Sequence, residues 1–231
     1  MRTAAILPVK SFSRAKQRLG ASVADQLRLQ LAEAMVADVL FALAQTAAIE
    51  RTIVVTREDK VAEVARAHHA IVVLDAAESG QSPAAALGVQ RALAEGIERV
   101  LCIPGDCPAL DPTELEELLG AEAAEHRDGC AVVIVPDRHG TGTNGLLLTP
   151  PDAIAPSFGP DSCERHRTLA RAAAIAPLIE RPASLLLDID TGADLAVLRE
   201  RLMGLSARAP RTRAVLGLSE HSEALPLTTP A

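Results

Sequence analysis

The sequence predicts an α/β fold built on a mainly parallel sheet with helices on both faces. Three observations predict it. Short apolar runs alternate with helical patterns along the chain. The runs are apolar from end to end, as strands covered on both faces are. The 231 residues are 48% apolar with a mean hydropathy of +0.18. That suits one α/β domain, or two small ones, with a core that needs no disulfide or structural metal.

Each element follows from its local pattern. Residues 4–9 are the first strand run. Leu27, Leu31, Met35, Val39 and Leu43 then recur every four positions, which predicts a long amphipathic helix. Residues 51–56 (RTIVVT) read as strand two, 58–68 as a helix and 71–74 as strand three. Residues 83–95 suit a helix with Pro83 in its first turn. Residues 99–104 (RVLCIP) are strand four. Asp111, Pro112 and Glu114 form a compact helix start, and that helix runs to about His126. Residues 130–136 and 145–149 are strands five and six, and 161–175 are helical. Residues 185–189 read as a seventh strand and 193–202 as the last helix. Residues 206–231 lack an apolar period and contain Pro, Ser and Thr, so they read as a flexible tail beyond a domain spanning 1–205.

Composition excludes several functions. Aromatics are 1%, three Phe with no Tyr or Trp, which argues against a base-stacking reader of single strands. A net charge of −7 argues against a duplex-binding surface. The N-terminal apolar run is too short for a secretion signal, and no apolar stretch approaches a membrane span. The four cysteines form no C-x-x-C pair, so free thiols in a reducing cytoplasm are expected.

In a sheet of this kind the ligand site lies beyond the carboxyl ends of the strands. The rule points to residues 10–20, 75–82, 105–110, 137–144 and 188–191, and five stretches carry candidate chemistry. The first follows strand one and carries Lys10, Arg14, Lys16 and Arg18. Residues 1–20 hold five cations and no acid, whereas the remainder is net −12. The stretch is either a solvated arm or a set of contacts to a triphosphate. It has neither the P-loop nor the dinucleotide glycine pattern. The second segment is PGDCPAL, where Asp106 is either a turn residue or a carboxylate for a divalent ion. The third is LLLDIDTGADL, residues 185–195. On a strand, Asp188 and Asp190 point to one face roughly 7 Å apart, a spacing that invites Mg²⁺; otherwise Asp190 or Thr191 caps the last helix. The fourth, HGTGTNG, is an anion cradle or a tight hairpin turn. The fifth, SFGPDSCERHR, places Ser162 near a helix N-terminus, as an anion contact or a simple cap. No nucleophile elbow, zinc helix or Cys–His pair accompanies them.

Taken in order from about residue 4 to residue 203, the motifs resemble the CofC/FbiD guanylyltransferases of coenzyme F-420 biosynthesis. The opening motif is Val9-Lys10 through Ala15-Lys16-Gln17-Arg18-Leu19. D-x-P-x-L is Asp106 to Leu110, and G-T-N is Gly142-Thr143-Asn144. F-G-x-x-S-x-x-x-H is Phe158-Gly159, Ser162 and His166. D-x-D-T-x-x-D-L runs from Asp188 to Leu195. The resemblance implies a three-layer α/β/α nucleotidyltransferase fold, GT-A-like and Rossmann-like, with a mixed, mainly parallel sheet. It implies transfer of GMP from GTP to a phosphorylated three-carbon acid, phosphoenolpyruvate for bacterial members, with release of pyrophosphate. Carried over by motif, Asp106, Asp188 and Asp190 would hold Mg²⁺. Thr143, Gly159 and Ser162 would bind phosphoenolpyruvate. Lys10, Lys16 and Arg18 would act on the GTP phosphates, with Arg14 beside them.

The family's G-L-N-x-A-L stretch near the base is replaced by Gly80-Gln81-Ser82-Pro83-Ala84-Ala85-Ala86-Leu87, which puts the base contacts on Gly80, Gln81 and Ser82. Other open readings are 2-phospho-L-lactate or 3-phosphoglycerate as acceptor, a GT-A glycosyltransferase, and a silent nucleotide-binding module. A homodimer is an open assembly state, and neither nucleic acid nor membrane is an expected partner.

Overall fold

The computed structural model of the chain describes residues 1–12, 19, 24–125, 129–205 and 207–218. Arg14, Lys16 and Arg18 lie outside the described residues. The elements follow in the order β1 (Thr3–Pro8), α1 (Asp25–Ala44), β2 (Arg51–Thr56), α2 (Asp59–Ala67), β3 (Ile71–Leu74), α3 (Gln81–Ala94) and β4 (Arg99–Cys102). Then come α4 (Pro112–Glu125), β5 (Ala131–Pro136), β6 (Thr143–Thr149), α5 (Ser162–Ala172), β7 (Leu178–Ile179), α6 (Gly192–Met203) and α7 (Pro210–Val215).

One sheet runs in the order β3-β2-β1-β4-β6-β5-β7. Strand β1 lies parallel to β2 and β4, β2 to β3, and β5 to β7, while β6 is antiparallel to both β4 and β5. The sheet is therefore mixed and mostly parallel. The strands' apolar runs fill both faces by the period of two. Ala5, Leu7, Val54, Leu101, Val133 and Leu147 join the core on one face. Ala4, Ile6, Ile53, Val100, Val132 and Leu148 join the core on the other. On that second face α3 lies very close to β1. A Cβ at Gly88 would stand 2.4 Å from Ile6 Cγ2, so the absence of a side chain there sets the helix height.

The expected start of α4 holds: Asp111 Oδ1 accepts from the Thr113 N–H at 3.0 Å. Glu114 reaches elsewhere, accepting from the Ser184 N–H at 2.7 Å. Two expectations fail. Residues 185–189 are not a strand. Ala183–Leu185 is a 3-10 turn and the seventh strand is Leu178–Ile179. The apolar run that suggested a strand is buried in another way. Leu185 enters the core beneath the sheet, and Leu187 and Ile189 enter a third core made with α1, α6 and α7. Nor is everything after 205 a tail. Helix α7 packs on α1, where Asp38, 2% exposed, accepts from the N–H groups of Arg211 (3.1 Å) and Thr212 (2.7 Å). Residues 219–231 lie outside the described residues. The four cysteines are free thiols. Among the described residues no helix is long and apolar enough to cross a membrane.

Candidate active site

Because β5 runs with β1–β4 and β6 runs against them, the start of β6 meets the ends of the others at one edge of the sheet. A cavity of about 700 Å³ opens along that edge. It spans the crevice between β1 and β4, the point where the strand order reverses.

One half of the cavity is built on β1 and β3. Lys10 follows β1 and is exposed. Asp75, immediately after β3 and 6% exposed, accepts from the Glu78 N–H at 2.9 Å. Glu78 in turn accepts from both the N–H and the hydroxyl of Ser11, each at 2.8 Å, which fastens the loop after β3 to the loop after β1. Gly80 opens α3 with φ +133, a backbone conformation that side chains strongly disfavour. Gly80 and Gln81 line the cavity.

At the centre stand three carboxylates. Asp106 follows β4, and its carbonyl accepts from the Ile189 N–H at 3.2 Å, which brings the 186–190 segment alongside. Asn144 of β6 donates to the Leu185 carbonyl (2.9 Å) and to Asp188 Oδ1 (3.2 Å). Burial first, and then the neighbouring Asp106 and Asp190 charges, hold the Asp188 carboxyl above the ordinary range; the Asn144 bond works the other way. Thr191 caps α6 through a reciprocal box with Asp194, and Arg138 pairs with Asp194 at 2.6 Å. Helix capping thus belongs to Thr191, which leaves Asp188 and Asp190 on the cavity wall. The premise that they share one face of a strand is wrong; a loop places them.

Among the described residues no group of three or more carboxylate, imidazole or thiolate side chains could by itself hold a metal ion. Mg²⁺ does not need such a cage. It binds through one or two carboxylates and takes its other oxygens from phosphates and water. Mutually repelling carboxylates, one of them mostly buried, fit that partial donor set.

The other half of the cavity is built on the β5–β6 turn and the start of α5. Asp137 Oδ1 accepts from the N–H groups of His139 (3.1 Å) and Thr141 (2.9 Å) and so shapes the turn. The Cys163 N–H donates to the Thr141 carbonyl at 3.0 Å, which docks the turn on α5. Gly159 has φ +111 and leads into α5. The Ser162 hydroxyl, at the first position of that helix, is buried with no hydrogen-bond partner among the described residues. Thr143 Oγ1 stands 3.0 Å from His166 Nδ1, and the Ser157 N–H donates to His166 Nε2 at 2.8 Å. The ring meets Phe158 edge to face at 5.2 Å. Arg165 donates to the carbonyls of Ser157 (3.0 Å), Phe158 (3.1 Å) and Pro160.

Nine of the residues singled out from sequence line this one cavity: Lys10, Gly80, Gln81, Asp106, Thr143, Gly159, Ser162, Asp188 and Asp190. Ser82 does not join them. Its hydroxyl accepts from the Phe158 N–H at 2.8 Å, which ties α3 to the 157–160 loop. Asp75, Glu78 and Asp137 also line the cavity but were not singled out as site residues. Each follows the end of a strand, so the sheet-edge rule located their segments without naming them.

The comparisons with known proteins agree with this geometry. Two curated relatives are named phosphoenolpyruvate guanylyltransferases. The one from Conexibacter woesei is 48% identical over 94% of this chain and 96% of its own. The one from Sphaerobacter thermophilus is 36% identical over 84% and 91%. Two solved structures share the fold. One, from Desulfovibrio desulfuricans G20, is described as of the nucleotide-diphospho-sugar transferase type; its TM-score is 0.74 at 18% identity, covering 94% of this chain and 95% of that one. A cytidylyltransferase from Leptospira borgpetersenii gives 0.60 at 14% identity, covering 94% and 93%. The family model for CofC-like guanylyl transferases matches residues 3–206. The sheet order, the cavity and the match across nearly the whole chain lead to one conclusion: the chain belongs to the CofC-like guanylyl transferase family.

Proposed function

We propose that the protein transfers GMP from GTP to phosphoenolpyruvate, giving enolpyruvoyl-diphospho-guanosine and pyrophosphate. The observation that carries this is the joining of two unlike half-sites in one cavity. A cation and a glycine-opened helix lie on one side, and the buried hydroxyls of Thr143 on β6 and Ser162 at the start of α5 on the other. The activity named for the relatives supports the same pairing.

A phosphate oxygen of phosphoenolpyruvate is already ionised at pH 7, so its attack on the α-phosphorus needs no general base. The new P–O bond forms as the bond to the β-phosphate oxygen breaks. Catalysis then consists of in-line positioning and charge neutralisation. Thr143, Gly159 and Ser162 bind the acceptor anion. Lys10 acts on the GTP phosphates and the departing pyrophosphate, the role that the motif also gives to Arg14, Lys16 and Arg18. Gly80 and Gln81 contact the nucleotide. Asp106, Asp188 and Asp190 would hold Mg²⁺, which when bound supplies positive charge at the α-phosphate. The free thiols suit a reducing cytoplasm.

The test incubates the protein with Mg²⁺ and GTP plus phosphoenolpyruvate, 2-phospho-L-lactate or 3-phosphoglycerate in separate reactions. Pyrophosphate and product mass are measured. Pyrophosphate with phosphoenolpyruvate and a guanylylated product are expected. Silence with all three acids would overturn the assignment, and product with only another acid would change the acceptor.

A further inference from the structure

We propose that His166 is a positioning residue for the acceptor: held in one tautomer, it donates its Nδ1 proton to Thr143 and thereby commits the Thr143 hydroxyl proton to the anion in the cavity. This role rests on the acceptor site proposed above. The direction of each hydrogen bond follows from chemistry. A backbone N–H can only donate, so the Ser157 N–H at 2.8 Å requires a lone pair on Nε2. A neutral imidazole carries a single N–H proton, which therefore sits on Nδ1. That nitrogen faces Thr143 Oγ1 at 3.0 Å, so the ring donates and the oxygen accepts.

The hydroxyl's own proton must then go to another acceptor. Among the described residues the His166 ring is the one hydrogen-bond partner shown for the Thr143 hydroxyl, and Thr143 lines the cavity. The opposite tautomer would reverse the sense. Thr143 would donate to the ring and present lone pairs to an anion, which repels it.

The ring is well fixed for this task. It is fully buried, at 0% exposure, and packed edge to face with Phe158. Burial first, with the Arg165 charge beside it, pushes its pKa down to about 4, so it stays neutral at working pH.

The rival role is a plain anchor for the 157–160 loop through Nε2. Two amide variants separate the two roles. In His166→Asn the amide nitrogen stands near the place of Nδ1 and can donate to Thr143, but it cannot reach Ser157. In His166→Gln the amide oxygen stands near the place of Nε2 and keeps the Ser157 bond, while the donor to Thr143 is lost.

The proposal expects His166→Asn to stay within about fivefold of wild type in kcat/KM for phosphoenolpyruvate. It expects His166→Gln to fall roughly 10- to 100-fold, through KM for the acid with KM for GTP unchanged. In a Thr143→Val background, His166→Gln should add less than about threefold. Gln rescuing better than Asn, or an undiminished effect of His166→Gln beside Thr143→Val, would overturn it.

One measurement needs no substrate. Long-range ¹⁵N–¹H spectra of the wild-type protein at pH 7, with the ring assigned by its loss in His166→Gln, should show Nδ1 protonated and Nε2 bare. A protonated Nε2 would overturn the proposal even if the enzyme makes pyrophosphate. Absence of pyrophosphate would instead overturn the proposed activity and leave the tautomer result standing.

Discussion

Ser162→Ala should move stability and activity in opposite directions. The hydroxyl is buried, at 1% residue exposure, with no hydrogen-bond partner among the described residues. A buried polar group without a partner is destabilising by about 1–3 kcal/mol. Alanine removes that penalty, leaves almost no cavity, and is a better helix former at the first position of α5. The substrate-free variant should therefore be more stable by about 1 kcal/mol, which for a chain of this size raises Tm by about 2–4 °C. With acceptor bound the balance reverses. A hydroxyl bonded to a charged group contributes about 1.5–3 kcal/mol, so kcat/KM for phosphoenolpyruvate should fall roughly 10- to 150-fold. Calorimetry or circular dichroism reads the first effect, since the chain has no Trp or Tyr to report by fluorescence. Pyrophosphate release at varied acid concentration reads the second. A lower Tm together with unchanged kcat/KM would refute the reasoning and make Ser162 a structural hydroxyl.

Other predictions follow from the same geometry. Asp188→Asn removes a charge that burial and two neighbouring carboxylates disfavour. The substrate-free variant should melt higher than wild type while turnover falls at least about 100-fold; near-normal turnover would take Asp188 out of the site. His166 titrates near 6.5 when unfolded and at about 4 when folded, so the unfolded chain binds the extra proton between those values. The related stability is fully present above pH 6.5 and is lost as pH falls toward 4, by about 3 kcal/mol in total. Urea melts from pH 7 to 4 should show that loss in wild type and much less of it in His166→Asn. Gly88→Ala places a carbon 2.4 Å from Ile6 Cγ2, so α3 must lift from the sheet at about 1–3 kcal/mol, and an unchanged Tm would contradict the close approach. Asp38→Ala removes the acceptor for two amides of α7 at about 1–2 kcal/mol, and hydrogen exchange at 211–216 should quicken.

Much of the sheet was legible because its strands are apolar from end to end. What failed shows where local pattern stops. Residues 185–189 carry an apolar run like that of a strand, yet a strand also needs a neighbour with open hydrogen-bonding groups, and local sequence does not show one. Leu178–Ile179, the strand that does pair with β5, is two residues long and has no period to detect. Helix α7 is short and polar, and its anchor, Asp38, lies 174 positions away from Thr212. The candidate site was legible as segments, because strand ends mark the ligand edge. Individual roles were less so. Ser82 has the chemistry to read a base, but its hydroxyl faces Phe158 across the cavity wall. The direction of the proton between His166 and Thr143 depends on a third group, the Ser157 amide, and no motif encodes that.

The reversed direction of β6 has a consequence for how such a protein can change its acceptor. The half of the cavity proposed for the nucleotide hangs from the ends of parallel strands, each joined to the next by a helix, so lengthening one of those loops disturbs a crossover. The half proposed for the acceptor is bordered by the 137–142 turn, whose two ends are held by the paired strands β5 and β6. Residues added or exchanged in that turn are absorbed by a hairpin that is already closed below them. An engineer wishing to redirect this scaffold to a bulkier acid has one place to begin, and the GTP machinery need not be rebuilt to use it.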